Sequence, residues 1–232
     1  MVNSIFTELK NGLIVSCQAY ENEPLHGSIY MAKMALAAEI GGAKGIRANG
    51  YDDIKAIKEE TNLPVVGINK KYLADGSIFI TPDLKSAEEI VKAGADIVAI
   101  DCTIRNFKFV KPGYENLKEI KREFNILTMA DISNIKEAIN AYEYGADIIS
   151  TTMSGYTPDS PKLIGPDFEL IASIKEKLGD KIFINAEGRF STPEGVLRAL
   201  KCGADFVTVG TAITRPQYIT NKIVSFIRTN IQ

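Results

Sequence analysis

Polar and charged residues recur at one place in this sequence, the end of a short apolar run. Gln18, Arg47, Lys70, Asp101, Asp131, Thr151 with Thr152, Glu187 and the pair Gly210-Thr211 each stand there. One such residue caps a loop. A whole ring of them calls for another account, because charge facing an interior must be solvated or used. Lys70 and Glu187 carry the most chemistry. If the runs are eight strands of one closed sheet, these two end the third and seventh strands and face each other across it. An ammonium and a carboxylate on opposite walls reach both faces of one bound carbon, which suits removal of a proton on one side and its return on the other. Free lysine has a pKa of about 10.4, so a basic role requires burial or a nearby cation such as Arg47. Lys71, the competing lysine, points to the other side of an extended strand. An ion pair between Lys70 and Glu187 that only closes the mouth is the structural alternative.

The stretch from Lys181 to Arg215 adds an anion site. Two apolar runs, Lys181–Ala186 and Ala204–Val209, end in Glu187-Gly188 and Gly210-Thr211. Glycine there lets the backbone turn sharply and approach a ligand, and exposed N–H groups beside a helix start suit an anion. Phosphate is therefore expected among Gly188, Gly210 and Thr211. Arg47 and Arg215 offer planar forks for phosphate or carboxylate. Thr152 and Tyr156 are further candidate substrate contacts, Tyr156 packing over a sugar or serving as a lid. Asp101 and Asp131 can accept from sugar hydroxyls; a Mg²⁺ ion on them is conceivable, but no clustered ligand motif supports a metal. The single histidine, His26, reads as a loop residue.

The elements that must position these groups alternate β-rich runs with amphipathic stretches. Strands are expected at Leu13–Cys17, Gly45–Arg47, Val65–Ile68, Ile97–Ile100, Leu127–Ala130, Ile148–Thr151, Ile182–Asn185 and Phe206–Val209. They are near-continuous apolar runs, as in parallel strands covered by helices. Between them lie helical patterns such as Ile29–Ile40, Leu84–Ala93, Ile135–Tyr144, Asp167–Leu178 and Pro193–Lys201. The junctions GGAKGIRA, AGADIVAI, YGADIIST and CGADFVTV repeat, with Gly42, Gly94, Gly145 and Gly203 spaced by 52, 51 and 58 residues. A fourfold βαβα repeat fits a (β/α)8 TIM barrel better than an open doubly wound sheet. Helix-to-strand links are short and strand-to-helix links are mostly long (Gln18–Ser28, Asn69–Asp83, Thr103–Tyr114, Thr152–Pro166), which marks the functional face. One α/β domain spanning 1–232 is expected, with residues 1–12 outside the barrel.

Composition narrows the partners. With 27 Lys+Arg against 29 Asp+Glu, the net charge of −2 gives no reason to expect nucleic acid or an anionic membrane. Cys17, Cys102 and Cys202 lie far apart, which suits a reducing compartment. The N-terminus lacks a signal-peptide pattern and no apolar run approaches the ~18–20 residues of a membrane span. A soluble, cytoplasmic protein is expected.

The segments QAYENEPLHGS, GGAKGIRANG, PVVGINKKY, DIVAIDCT, TMADIS, ISTTMSGYT, INAEGRFSTPEG and TVGTAITRP together resemble the bacterial N-acetylmannosamine-6-phosphate 2-epimerases. The likeness runs in order from about Asn11 to about Thr220. It implies a phosphate-binding TIM barrel of sialic acid catabolism that interconverts N-acetylmannosamine 6-phosphate and N-acetylglucosamine 6-phosphate with no redox cofactor. It also implies that Lys70 and Glu187 are catalytic and that Gln18, Arg47, Asp131 and Arg215 touch substrate. Gly188, Gly210 and Thr211 would surround the phosphate, Thr211 standing where related barrels more often have a second glycine. The partner so implied is a small phosphosugar, with a homodimer left open. Rival readings are a Schiff-base aldolase working through Lys70 and a non-catalytic phosphosugar-binding barrel.

Overall fold

In the computed structural model, which describes residues 2–105 and 112–231, the short β-branched runs close into a parallel eight-stranded barrel. Strands are β1 (Leu13–Cys17), β2 (Gly45–Asn49), β3 (Val65–Ile68), β4 (Lys70–Tyr72), β5 (Ile78–Ile80), β6 (Ile97–Asp101), β7 (Leu127–Asp131), β8 (Ile148–Ser150), β9 (Phe183–Glu187) and β10 (Phe206–Val209). All but β4 and β5 form the barrel, in the order β1-β10-β9-β8-β7-β6-β3-β2. Helices are α1 (Val2–Leu9), α2 (Ser28–Ile40), α3 (Tyr51–Glu60), α4 (Leu84–Lys92), α5 (Gly113–Phe124), α6 (Ile135–Glu143), α7 (Phe168–Leu178), α8 (Pro193–Lys201), α9 (Thr211–Thr214) and α10 (Pro216–Asn230). The eight expected strands are present, with ends shifted by a residue or two. One expectation needs correcting. The stretch after β3, read as a loop, contains the antiparallel hairpin β4–β5, with Lys70 opposite Ile80 and Tyr72 opposite Ile78. Three-residue strands give too little alternation for the sequence pattern to show them.

The GAD repeat has a local physical cause. Gly42, Gly94, Gly145 and Gly203 all have positive φ, between 90 and 108°. Each sits just past a helix C-cap. The following alanine N–H reaches back five residues, as Ala43 to the Ala38 carbonyl (3.0 Å) and Ala204 to the Ala199 carbonyl (3.1 Å). That is a Schellman ending, which only a left-handed residue permits. In three of the four the aspartate that follows accepts an N–H from the first or second residue of another strand: Asp96 from Val65, Asp147 from Thr128 and Asp205 from Ile184, at 2.8, 2.9 and 2.8 Å. The repeat thus ends a helix and ties down a strand start.

Two apolar layers result. One lies between the strand wall and the helices. The other fills the lower barrel interior with Ile14, Val66, Ile97, Leu127, Ile148 and Phe206, joined by Phe6 and Leu9 of α1. Phe6 stacks on Phe183 with ring centroids 3.9 Å apart. Gly45 makes room for this packing, since a Cβ there would come within 2.9 Å of Leu9 Cδ2. Among the described residues no helix is long and apolar enough to cross a membrane.

Leu9 is 1% exposed. Leu9→Ala should lower stability by about 2–5 kcal/mol, the usual cost of emptying a buried leucine site. Urea denaturation measures it; a loss well under 1 kcal/mol would show that α1 contributes little to the core.

Candidate functional site

A cavity of about 470 Å³ opens at the C-terminal ends of the barrel strands. Nine of the residues singled out from the sequence line it: Gln18, Lys70, Thr152, Tyr156, Glu187, Gly188, Gly210, Thr211 and Arg215. Arg47 and Asp131 do not. They lie beneath, 1% and 0% exposed, as the floor on which Glu187 rests. His26 and Asp101 also lie outside the lining. The Asp101 carboxylate is engaged by Thr103 and Arg105.

The floor is a buried ion cluster. Arg47 Nη1 and Nη2 donate to Asp131 Oδ1 and Oδ2 at 3.1 and 2.6 Å, a two-bond fork. Nη1 also lies 3.1 Å from Glu187 Oε2. Burial works against the Arg47 charge, but Asp131 and then Glu187 outweigh it, so the guanidinium is held more firmly protonated than in water. Thr152 donates to Asp131 Oδ1 at 2.6 Å and stands 3.2 Å from Glu187 Oε2. The Glu187 carboxyl is pushed up from its ordinary range, chiefly by burial and also by the Asp131 charge, with Arg47 opposing.

Lys70 enters from the other side. β3 and β9 stand four strands apart in the ring, on opposite walls. Burial, then the positive charge of Arg47, brings the Lys70 amine down to about 8, with Glu187 opposing and Arg215 adding to the fall. Its Nζ lies 5.4 Å from the Tyr20 ring centroid. Its backbone N–H donates to Asn49 Oδ1 at 2.9 Å, which fixes the start of the hairpin. Glu187 pairs with Arg47, and among the described residues no ion pair joins it to Lys70. Lys71 points away, 3.6 Å from Glu89.

The glycine turns lie on the β9–β10 side. Gly188 has φ 116°, open to glycine and strained for other residues. Gly210 opens α9 at Thr211 and packs against Ser16, whose Cβ would lie 3.2 Å from a side chain there. Arg215 follows α9. Its Nε lies 3.0 Å from Glu23 Oε1 and its guanidinium 4.8 Å from the Tyr20 centroid. Glu23 also accepts the Tyr20 N–H at 2.7 Å, so one carboxylate holds both the aromatic ring and the arginine. Gln18 donates to Ser16 Oγ at 2.7 Å, while its buried Oε1 has no partner among the described residues.

Several residues of the site escaped the sequence reading. A hydrogen-bonded ladder underlies the floor: Thr208 donates to Asn185 Oδ1 (2.8 Å), and Asn185 to Ser150 Oγ (2.7 Å). Ser150 in turn contacts the Thr152 hydroxyl at 2.7 Å. A signal existed. Asn185 precedes Glu187 by two positions on β9 and hence shares its face, and Ser150 and Thr208 are polar residues near the ends of the neighbouring strands β8 and β10. Tyr20 and Arg189 lie in loops, where periodicity gives no such signal. Among the described residues no three His, Cys, Asp or Glu side chains cluster as metal ligands would.

Comparison with known proteins identifies the family. The family model NanE, described as "Putative N-acetylmannosamine-6-phosphate epimerase", matches residues 31–229. A relative from Caldanaerobacter subterraneus subsp. tengcongensis, named as such a 2-epimerase, is 53% identical over 98% of this chain and 96% of its own length. One from Clostridioides difficile, of the same name, is 48% identical over 96% of this chain and 99% of its own. The solved N-acetylmannosamine-6-phosphate 2-epimerase of Clostridium perfringens superposes with a TM-score of 0.90 at 42% identity, covering 96% of each chain. More distant structures, an aldolase at 20% identity and TM-score 0.65 among them, share the fold alone. With the barrel, the cavity and these matches in agreement, the chain belongs to the N-acetylmannosamine-6-phosphate epimerase family.

Proposed function

We propose that this protein interconverts N-acetylmannosamine 6-phosphate and N-acetylglucosamine 6-phosphate, with Lys70 and Glu187 exchanging the C2 proton. The observation that carries this reading is the pair itself: a lysine brought down to about 8 and a carboxyl pushed up, facing one cavity from opposite walls. The C2 proton is acidic only when C1 is a carbonyl, so the sugar reacts in its open-chain form. One residue takes the proton from one face and the other returns a proton to the opposite face. Negative charge developing on the C1 oxygen is met by the cations on this side, the Lys70 ammonium foremost and Arg47 below it. When Glu187 takes a proton, Arg47 keeps Asp131 as counter-ion, so no buried charge is orphaned. Burial moves the two pKa values toward each other, which narrows the gap between the proton donor and acceptor in either direction.

Gln18 offers its unpartnered carbonyl to the sugar. Phosphate on C6 sits among Gly188, Gly210 and Thr211 with Arg215 alongside, supplying binding energy remote from the reacting carbon. The cytoplasm is the compartment that suits three free cysteines. A second copy of the chain is the partner we place against α10, none of whose residues is buried and whose Ile223, Phe226 and Ile227 are exposed.

Lys70→Ala and Glu187→Gln should each lose at least ~100-fold in kcat with a smaller change in binding, and the double variant should be little worse than the worse single. In heavy water the active enzyme should place deuterium at C2. Near-normal turnover by either variant sinks the assignment, and a borohydride-trapped adduct on Lys70 would point to aldolase chemistry. Either direction needs one proton on the pair. In both directions kcat/KM should therefore fall as pH rises through about 8, where Lys70 loses its proton. It should fall again in acid, as Glu187 gains one.

Arg215→Ala should weaken binding of the 6-phosphosugar by ~1.5–3 kcal/mol, the worth of a charge-assisted contact. The unphosphorylated sugar should lose far less; equal losses for both would move the phosphate elsewhere. For the dimer, sedimentation of the intact protein should give twice the chain mass, and Phe226→Glu should give one.

A further inference from the structure

The turn after β9 carries a second device. Arg189, two residues past Glu187, holds a left-handed backbone with φ 61°, a conformation unfavourable for any residue with a Cβ. Its side chain crosses to the connection between β8 and α7. There Nε donates to the Gly165 carbonyl and Nη1 to the Ser154 carbonyl, both at 2.7 Å. These two carbonyls bracket the stretch 155–164, so a single guanidinium joins both ends of the loop. The Tyr156 ring lies 5.3 Å from the same guanidinium. Gly155 has φ 83°, and a Cβ there would come within 2.7 Å of Arg189 Nη1, so only glycine admits the clamp. Inside the loop, Ser160 Oγ accepts from the Gly155 N–H at 2.9 Å and contacts the Thr157 hydroxyl at 3.0 Å. Below it, Ser154 donates to Asp167 at 2.6 Å.

Two residues of this loop, Tyr156 and Ile164, line the cavity although 61% and 103% exposed. We propose that Arg189 is a positioning residue that closes the neck of the 155–164 loop and holds it as a preformed flap presenting Tyr156 and Ile164 to the sugar. The role rests on the reading of this cavity as a phosphosugar site. It also links the flap to the turn carrying Glu187, because the residue that fastens the flap is separated from the carboxylate by Gly188 alone. Preorganising the loop spares the entropy of ordering it at each binding event.

The test has two arms. Hydrogen exchange without ligand should show the amides of 155–164 exchanging about tenfold faster or more in Arg189→Met, for the loss of two charge-assisted bonds, with the barrel strands unchanged. Calorimetry with N-acetylglucosamine 6-phosphate should show about tenfold weaker binding in the same variant. Gly155→Ala, which keeps the arginine but displaces its guanidinium, should reproduce both effects. Unchanged loop exchange in Arg189→Met, or faster exchange with unaltered affinity, would each overturn the proposal. If the unaltered protein fails to bind the sugar phosphate, the reading of the cavity falls, and the exchange arm alone decides whether Arg189 holds the loop.

Discussion

The site depends on one buried contact, the fork between Arg47 and Asp131. A guanidinium with 1% of its side chain exposed survives there because two carboxylates meet it, Asp131 by two hydrogen bonds and Glu187 at 3.1 Å. Removing one member of such a cluster costs about 3–5 kcal/mol, because the remaining charge is left without a partner. The contact joins β2 to β7, three strands apart in the ring, so it depends on how the sheet curves to bring them together. The fold and the electrostatics of the cavity floor are thereby tied to one interaction.

From that floor the rest of the chemistry follows. Arg47 attracts Glu187 and repels Lys70, so one cation holds the carboxylate in place and helps draw the lysine proton within reach of neutral pH. The hydroxyl and amide ladder of Thr208, Asn185, Ser150 and Thr152 satisfies the polar groups that a charged interior brings with it. The charges stay on the upper half of the barrel. Below, Ile14, Val66, Leu127 and Phe206 close over the Phe6 and Leu9 side chains of α1, and no polar group is needed. This division, chemistry at the C-terminal ends and packing at the base, lets the loops vary without loosening the barrel.

Several devices connect the loops to that frame. Glu23 fastens Tyr20 and Arg215, and Arg189 fastens the two ends of the β8–α7 connection. Glu23 to Arg215 and Arg189 to the β8–α7 connection each join segments far apart in sequence, and Tyr20, Arg215 and Tyr156 line the cavity.

The sequence by itself determined the eight strands, the place of the cavity and nine of the residues that line it. Each rests on local physics: apolar runs of strand length, glycines required past helix ends, and polar residues at the last position facing inward. Lys70 and Glu187 were legible as opposite because strand count alone fixes their separation around the ring. Local pattern could not rank Arg47 and Asp131 as floor rather than wall, since burial depends on what the other seven strands place above them. Nor could it give the β4–β5 hairpin, whose strands are three residues long. Tyr20 and Arg189 were equally out of reach. Their partners Lys70, Arg215, Ser154 and Gly165 come near only through the pairing of strands in the barrel, and contacts between distant segments leave no period in the chain.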